Sequence, residues 1–202
     1  MMELKNKIKE RAAELFFKYG IRSITMDEVA ESLGMSKRTL YESFKNKEDL
    51  LKECIEHQYE KNIGIGNQLM SDHSNDPLEV LFQTFRSTVI NLNSIHPNFF
   101  NDIQKYHSHL WKDHVKRKQE EGIQTTCKLI EKGISAGIFR QGVDAQILSR
   151  LIHASMEQMS TQDIFPETRF PRSEVFQQVF LNFIRGMASK EGLIKIDEKF
   201  QL

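Results

Sequence analysis

Apolar residues recur along this chain every three or four positions, and short runs of glycine, proline or polar residues separate the segments. That spacing is typical of amphipathic helices, and no segment shows the alternating pattern of a strand. The first such stripe contains Ile8, Ala12 and Phe16 and is predicted to end at Gly20. The pattern as a whole predicts an all-α protein.

Start signals divide the rest of the chain into further helices. Thr25 and Glu28 fit a capping box that opens a second helix, which Gly34 ends. Ser36 caps a short third helix that is predicted to run to about Phe44. Later helices are predicted from a cap at Asn46 to the early sixties, from Pro77, from Pro97, from His107 to Ser135, after Asp144, and from Ser173 to Lys190. In the helix after Asp144, the residues expected to face inward are Ile147, Leu148, Leu151, Ile152, Met156 and Met159.

A change of composition divides the chain into two parts. Gly64, Gly66 and the polar run 71–76 interrupt the helical pattern and place a boundary between residues 50 and 75. We therefore predict two domains: an N-terminal three-helix domain over residues 1–50 and a larger helical domain over residues 51–202.

Composition indicates a globular protein of the cytoplasm. Of the 202 residues, 39% are apolar and 28% are charged, which is too apolar for a disordered chain. No apolar run approaches the roughly 18 residues of a membrane span, and no signal segment follows the N-terminal lysines. Two cysteines fit a reducing compartment. The 28 basic and 28 acidic residues cancel, which leaves room for a local basic surface.

Residues 25–44 carry the strongest functional signal, a helix-turn-helix. Gly34 suits a turn with positive φ, and Ala30 is small enough for the two helices to approach closely. On the outer face of the third helix, Lys37, Arg38 and Tyr41 lie within one turn of each other. These side chains suit base edges and phosphates of DNA. A solvated basic face is the alternative interpretation.

Two helix starts flank that face. Thr25 and Asn46 lie at helix N-termini, where free amides and the helix dipole favour a phosphate, and Lys47 adds a positive charge beside Asn46. They are ordinary helix caps on the alternative interpretation. Together with the third helix, they predict a DNA-binding surface sized for the major groove.

Over these residues the chain resembles the DNA-binding domain of TetR-family repressors. The resemblance covers roughly residues 5–55, and the order Thr…Ala…Gly-x-Ser…Leu-Tyr-x-x-Phe-x-Asn-Lys between Thr25 and Lys47 carries it. It implies an all-helical homodimer that binds a palindromic double-stranded DNA operator and releases it when a small molecule enters the C-terminal domain.

The resemblance also implies a role for each matching residue. Ser36, Lys37, Arg38 and Thr39 would face the groove, and Thr25, Tyr41 and Lys47 would hold phosphates. Arg38 suits a guanine and the Thr39 methyl a thymine. The bulky pair Lys37-Arg38 departs from the small residues that are common at these positions in the family.

The larger domain offers two further sets of residues. Candidate walls of a pocket for an apolar or amphipathic effector are Phe82, Phe85, Phe99, Phe100, Trp111, Met156 and Met159. The last helix has an apolar stripe wider than a surface helix needs, which serves either the core or a dimer interface. The residues predicted for that interface are Phe176, Val179, Phe180, Phe183 and Met187.

Other functions have weaker support. The chain has no His-Glu-x-x-His motif or phosphate loop, so neither an enzyme nor a cofactor is expected. His107, His109 and His114 could in principle ligate a metal, and Cys127 could sense oxidants, but hydrogen-bonded histidines and a core cysteine are the simpler interpretations. A regulator whose C-terminal domain only dimerises or recruits a protein is the main alternative. A metal- or ligand-binding protein with an incidental helix-turn-helix is another.

Overall fold

The computed structural model describes residues 2–73, 76–159 and 164–201, without the side chains of Met2 and residues 113–119. These ranges form ten helices: α1 (Met2–Tyr19), α2 (Met26–Ser32), α3 (Lys37–Ser43), α4 (Lys47–Asp72), α5 (Pro77–Ser94), α6 (Pro97–Tyr106), α7 (Ser108–Ser135), α8 (Ala145–Met159), α9 (Arg172–Met187) and α10 (Lys190–Phe200). A single bridge between Phe139 and Ala188 is the only β-type pairing in the described ranges. The predicted all-α fold class is confirmed. No helix among the described residues is both long and apolar enough to cross a membrane.

The helices group into two compact units. Unit 1 comprises residues 1–65 and 94–116, and unit 2 comprises residues 66–93 and 117–202. Each unit contains two separate stretches of the chain, whereas the predicted domains, 1–50 and 51–202, are continuous.

Unit 1 is built around the first three helices. Ile8 and Phe16 of α1, Leu40 of α3 and Leu50 of α4 are at most 1% exposed and form its core. Ile103 of α6 is also fully covered. Helices α2, α3 and α4 begin directly after their predicted caps, because the cap side chains accept hydrogen bonds from amides of the first turn. For example, the Asp49 N–H donates to the Asn46 side chain at 2.8 Å.

Unit 2 has its own apolar core. Leu78 and Leu81 of α5, Ile130 of α7, Ile184 of α9 and Ile196 of α10 are among its buried members. Their burial explains why short amphipathic helices such as α10 are stable here, since packing rather than propensity supplies most helical stability in proteins.

The structure corrects two predicted helix ends. The fourth helix does not end in the early sixties but continues through Gly64 and Gly66 to Asp72, because a glycine inside a helix costs only about 1 kcal/mol relative to alanine. The last predicted helix does not run to Lys190. It ends at Met187, and Ser189 caps a separate helix by accepting a hydrogen bond from the Gly192 N–H.

The predicted inward face of α8 is wrong at two positions. Ile147 and Leu151 are 57% and 49% exposed, although both were expected to face the core. The face that α8 turns inward centres on Ala145 and Ser149 instead. Small residues there allow close helix packing and leave the two larger side chains outside.

The side chain of His153 on α8 packs against α7, and its burial predicts how the stability of the protein depends on pH. The His153 imidazole packs so closely on Gly122 that a Cβ there would lie 2.7 Å from its Cε1 atom, and its Nε2 lies 3.0 Å from the Thr126 hydroxyl. Burial lowers the pKa of His153, against a smaller opposing effect of its hydrogen bond with Gly122. The unfolded chain, whose histidines titrate near 6.5, therefore binds more protons than the folded chain as pH falls.

We expect the His153 contribution to the free energy of unfolding to be highest above about pH 6.5, to fall as pH drops from there towards the lowered pKa of His153, and to level off below it. His153→Gln should reduce this dependence, because the amide can still bond Thr126 but does not titrate. Urea titrations between pH 7.5 and 5.5 measure the effect. Equal pH slopes for the two proteins would contradict it.

Candidate nucleic-acid interface

The exposed motif of unit 1 consists of α2, α3 and the turn between them. The Thr25 hydroxyl accepts a hydrogen bond from the Glu28 N–H at 3.2 Å, and the Thr25 N–H donates to the Glu28 carboxylate at 2.6 Å. The Thr25 hydroxyl also donates to the Glu28 carboxylate at 2.8 Å, and the bonds that the Thr25 N–H and hydroxyl donate lower the pKa of Glu28. Gly34 has φ of 64°, and the Met35 N–H closes the turn on the Ala30 carbonyl at 3.0 Å. The predicted capping box and the predicted positive φ are confirmed.

One side of α3 is buried and the other faces outward. Leu40 is 0% exposed and anchors the helix in the core. On the outer side, the side chains of Lys37 and Arg38 are 66% and 88% exposed. Tyr41 is half exposed. The segment therefore gathers one continuous outward set of residues that were predicted to face DNA: Ser36, Lys37, Arg38, Thr39 and Tyr41.

Two acidic residues on this surface were missed by the sequence reasoning. The Lys37 ammonium is paired with the carboxylate of Asp27 on α2. The Arg38 Nε donates to Glu42 Oε1 at 2.9 Å. The second pair has the i, i+4 spacing of helical ion pairs, which could have indicated it. The first joins two helices and depends on the turn geometry.

The start of α4 supplies a second group of polar atoms. Lys47 is its first residue, and its ammonium lies 5.9 Å from the centroid of the Phe16 ring. Burial lowers the pKa of Lys47, while the negative charges of Asp102 and Glu28 act in the opposite direction. A lysine here adds positive charge to a helix end whose free amides already attract anions.

Helix α6 holds the end of α1 in place. Gly20 has φ of 85°, and a Cβ there would lie 3.0 Å from the Asn98 Cβ. The Asp102 side chain is buried and accepts the Arg22 N–H at 2.8 Å. The Arg22 guanidinium lies 4.8 Å from the centroid of the Tyr106 ring. These contacts fix the segment that leads into α2, and the sequence alone did not identify Asp102 as their centre.

His107 ends α6, and His109 contacts the first turn of α4. His109 Nε2 is 2.6 Å from a Glu48 carboxylate oxygen. Burial lowers the pKa of His107, and Glu48 opposes that effect. The side chain of His114 lies outside the described residues. Where side chains are described, no three histidine, cysteine, aspartate or glutamate residues are grouped so that they could hold a metal ion.

The predicted pocket residues fall into two groups. Phe99, Phe100 and Trp111 belong to unit 1, where Phe99 packs edge-on against Phe17 at 4.8 Å. Phe82, Phe85, Met156 and Met159 belong to unit 2. There, the centroid of the Phe85 ring lies within 6 Å of the ring centroids of Phe176, Phe180 and Phe200.

The predicted interface residues also differ in burial. Phe176 and Met187 are 3% and 2% exposed and are covered within their own unit. Val179, Phe180 and Phe183 are half-buried. Val179 and Phe183 line a shallow groove of about 380 Å³ together with Ser155, Gln178 and Asn182. The groove lies between α8 and α9, and its lining residue Ser155 is one helical turn after the exposed Leu151.

Comparison with known proteins agrees with the geometry of unit 1. Residues 8–54 match the model of bacterial regulatory proteins of the tetR family. The chain is 24% identical over 191 residues to the HTH-type transcriptional repressor KstR2 of Mycolicibacterium smegmatis, which covers 93% of this chain and 92% of that protein.

Solved structures share the fold over nearly the whole chain. A transcriptional regulator from Cytophaga hutchinsonii has a TM-score of 0.69 and 15% identity, covering 93% of this chain and 98% of its own. A putative transcriptional regulator from Saccharomonospora viridis, solved in complex with choline, has a TM-score of 0.64 and 18% identity, covering 94% of this chain and 100% of its own. At these identities the likeness concerns the fold.

Proposed function

We propose that the chain is a transcriptional regulator of the tetR family, a cytoplasmic repressor that binds a palindromic operator as a homodimer and leaves it when a small molecule binds unit 2. The observation that carries this proposal is the outward face of α3. It presents Lys37, Arg38 and Tyr41 opposite a buried anchor, between the capped N-termini of α2 and α4. Such a helix fits the major groove, with phosphates at either side.

Within that arrangement the residues divide into two tasks. Ser36, Lys37, Arg38 and Thr39 would meet base edges, and Arg38 has the planar fork that suits guanine O6 and N7. Tyr41, Thr25 and Lys47 would hold phosphates, which fix the position of the protein on the duplex without reading sequence. A dimer doubles every phosphate contact, so affinity should fall steeply as salt rises.

These tasks predict different outcomes for two substitutions. Arg38→Ala should weaken operator binding by about 1–3 kcal/mol and relax base choice at one position of each half-site. Lys47→Ala should weaken binding to operator and to random duplex by similar factors, because phosphates are present in both. Fluorescence anisotropy titrations with both duplexes measure the two effects. If Arg38→Ala, like Lys47→Ala, loses affinity equally on the operator and on the random duplex, the proposed division of tasks is wrong.

Apolar residues at the surface of α8 and α9 support a dimer interface formed by these two helices. Ile147 and Leu151 on α8 are large, apolar and exposed, and they lie one turn apart. Val179 and Phe183 of α9 line the neighbouring groove. Two such helices from each of two copies can form a four-helix bundle around a two-fold axis, which suits a palindromic site. Phe176 and Met187 would support this face from inside the subunit.

The effector would be an apolar or amphipathic molecule. Met156 and Met159 of α8 are partly buried in unit 2 and adapt readily to a ligand's shape. The choline bound by the Saccharomonospora viridis protein supports a ligand-binding role for this fold. The alternative is a regulator whose unit 2 only dimerises or recruits a protein partner. The close packing around Phe85 favours it, because those rings occupy space that a ligand would need.

The most direct test is a gel shift with the DNA upstream of the protein's own gene. We expect a specific complex with two subunits per duplex, which random DNA of equal length does not displace. Screening apolar and amphipathic molecules for release of that complex then separates the two candidates. A single subunit in solution, or equal competition by any duplex, would overturn the proposed function.

A further inference from the structure

An exposed lysine of α1 lies against the C-terminal end of α3. The Lys5 ammonium is 5.7 Å from the centroid of the Phe44 ring. Phe44 is 3% exposed and is the residue at which α3 ends. The contact therefore places a positive charge of α1 beside the helix proposed to enter the major groove, although the two residues are far apart in the sequence.

The charge of Lys5 is not neutralised within the protein. Further along α1, Lys9 is paired with Glu53 and Arg11 with Glu14. Lys5 is exposed, and no carboxylate whose position the structure describes forms an ion pair with it. Its contact with the Phe44 ring is worth only about 0.5–1 kcal/mol at such a site. That contact orients the ammonium and leaves its charge available to an anion from outside.

The same end of α3 carries two other groups that suit a phosphate. Tyr41, which we propose holds a phosphate, precedes Phe44 by three residues and is 50% exposed. Lys45 follows Phe44 directly and is exposed. Lys5 therefore lies at the end of α3 where hydroxyl and ammonium donors are already gathered.

The position of α3 in a groove determines which part of the DNA this end would meet. The N-terminal residues of a recognition helix contact base edges. A helix of seven residues is about 10 Å long and the major groove is about 12 Å wide. The opposite end of α3 thus comes close to the backbone that borders the groove, where phosphates rather than bases are within reach.

We propose that Lys5 is a further phosphate-binding residue, which together with Lys45 holds the DNA backbone beside the C-terminal end of α3 and so brings α1 into the DNA interface. This inference rests on the proposed function, since it requires α3 to enter the groove. Phosphate contacts carry no sequence information. Lys5 therefore contributes affinity and salt dependence, and it leaves base choice to α3.

Lys5→Met tests the proposal, because methionine keeps an unbranched side chain on Phe44 and removes the charge. Fluorescence anisotropy titrations at several salt concentrations measure binding of the dimer to operator and to random duplex. The slope of log K against log salt should become less steep by about two, since each of two subunits loses one phosphate contact. Affinity near 0.1 M salt should fall about tenfold on both duplexes, so that their ratio is unchanged.

Lys7→Met is the matched control. Lys7 is also exposed, but a separation of two residues places it on nearly the opposite side of α1. Lys7→Met should keep the wild-type slope, and so should Lys5→Arg, which retains the charge. An unchanged slope for Lys5→Met, or an equal loss in Lys7→Met, would overturn the inference while leaving the proposed function intact. A wild-type protein that prefers no duplex would overturn both.

Operator duplexes with one neutral methylphosphonate in each half-site separate a direct contact from a general effect of charge. At one backbone position beside the groove, wild-type affinity should fall to that of Lys5→Met, while the variant should lose nothing more. If every position weakens the two proteins by the same factor, Lys5 does not touch a phosphate and the inference is wrong.

Discussion

Replacing Gly192 with alanine should lower the free energy of unfolding by about 3 kcal/mol. A Cβ at this position would lie 1.9 Å from the carbonyl oxygen of Ile138 and 2.7 Å from its carbonyl carbon. Both are backbone atoms, so no side-chain rotation can relieve the overlap. Helix α10 would have to move away from the turn on which it sits.

That turn is tied to the start of α10 by several hydrogen bonds. The Ser189 N–H donates to the Ile138 carbonyl at 2.9 Å, and the Ser189 hydroxyl donates to the Gly137 carbonyl at 2.7 Å. The same hydroxyl accepts the Gly192 N–H at 2.8 Å. Moving α10 would break this group of bonds and uncover Ile196, which is fully buried. The loss therefore includes hydrogen bonds and apolar burial as well as the overlap.

Urea denaturation followed by circular dichroism measures the change, and Gly66→Ala provides the control. Gly66 is also helical, but no atom lies within 4 Å of its added Cβ. Alanine there should stabilise the protein by up to about 1 kcal/mol, since it favours the helix. Similar unfolding midpoints for the two variants would show that the close approach at Gly192 is not rigid.

The parts of this fold that sequence predicts well are those that neighbouring residues determine. The capping box at Thr25, the cap at Asn46 and the left-handed Gly34 depend on residues within four positions of each other. The arrangement of residues along α3 is equally local, because the helix is only seven residues long. Ser189 carries the same kind of signal: a serine before a new amphipathic stretch could have separated α9 from α10.

Contacts between distant helices were not predictable in the same way. An apolar stripe shows that a helix is buried but not which partner covers it. Phe99 packs on Phe17 of α1, whereas Phe85 packs on rings of α9 and α10, although both were assigned to one pocket. Likewise, the Asp27–Lys37 pair arises only once Gly34 turns the chain.

Leu151→Glu should convert the proposed dimer into monomers and lower operator affinity by about 100-fold or more. Leu151 is 49% exposed in the single subunit, so a glutamate there can remain in solvent and the subunit should still fold. In the proposed four-helix bundle, the same residue from each copy would place a carboxylate in an apolar interface without a partner. Each half-site would then be bound by an independent subunit. Such a subunit lacks the gain in effective concentration that a linked second DNA-binding unit provides.

Ile194→Glu is the matched control for this experiment. Ile194 is 62% exposed and lies in the same unit, but it belongs to α10 rather than to the α8–α9 face. It should leave both the dimer and operator binding unchanged. Light scattering gives the subunit number, and titrations with one or two half-sites separate binding by a single subunit from binding by the pair. If Leu151→Glu stays dimeric, or if Ile194→Glu dissociates equally, the dimer does not form through α8 and α9. A normal far-UV spectrum of the dissociated Leu151→Glu subunit, with wild-type affinity for a single half-site, would show that only the pairing of the two heads has been lost.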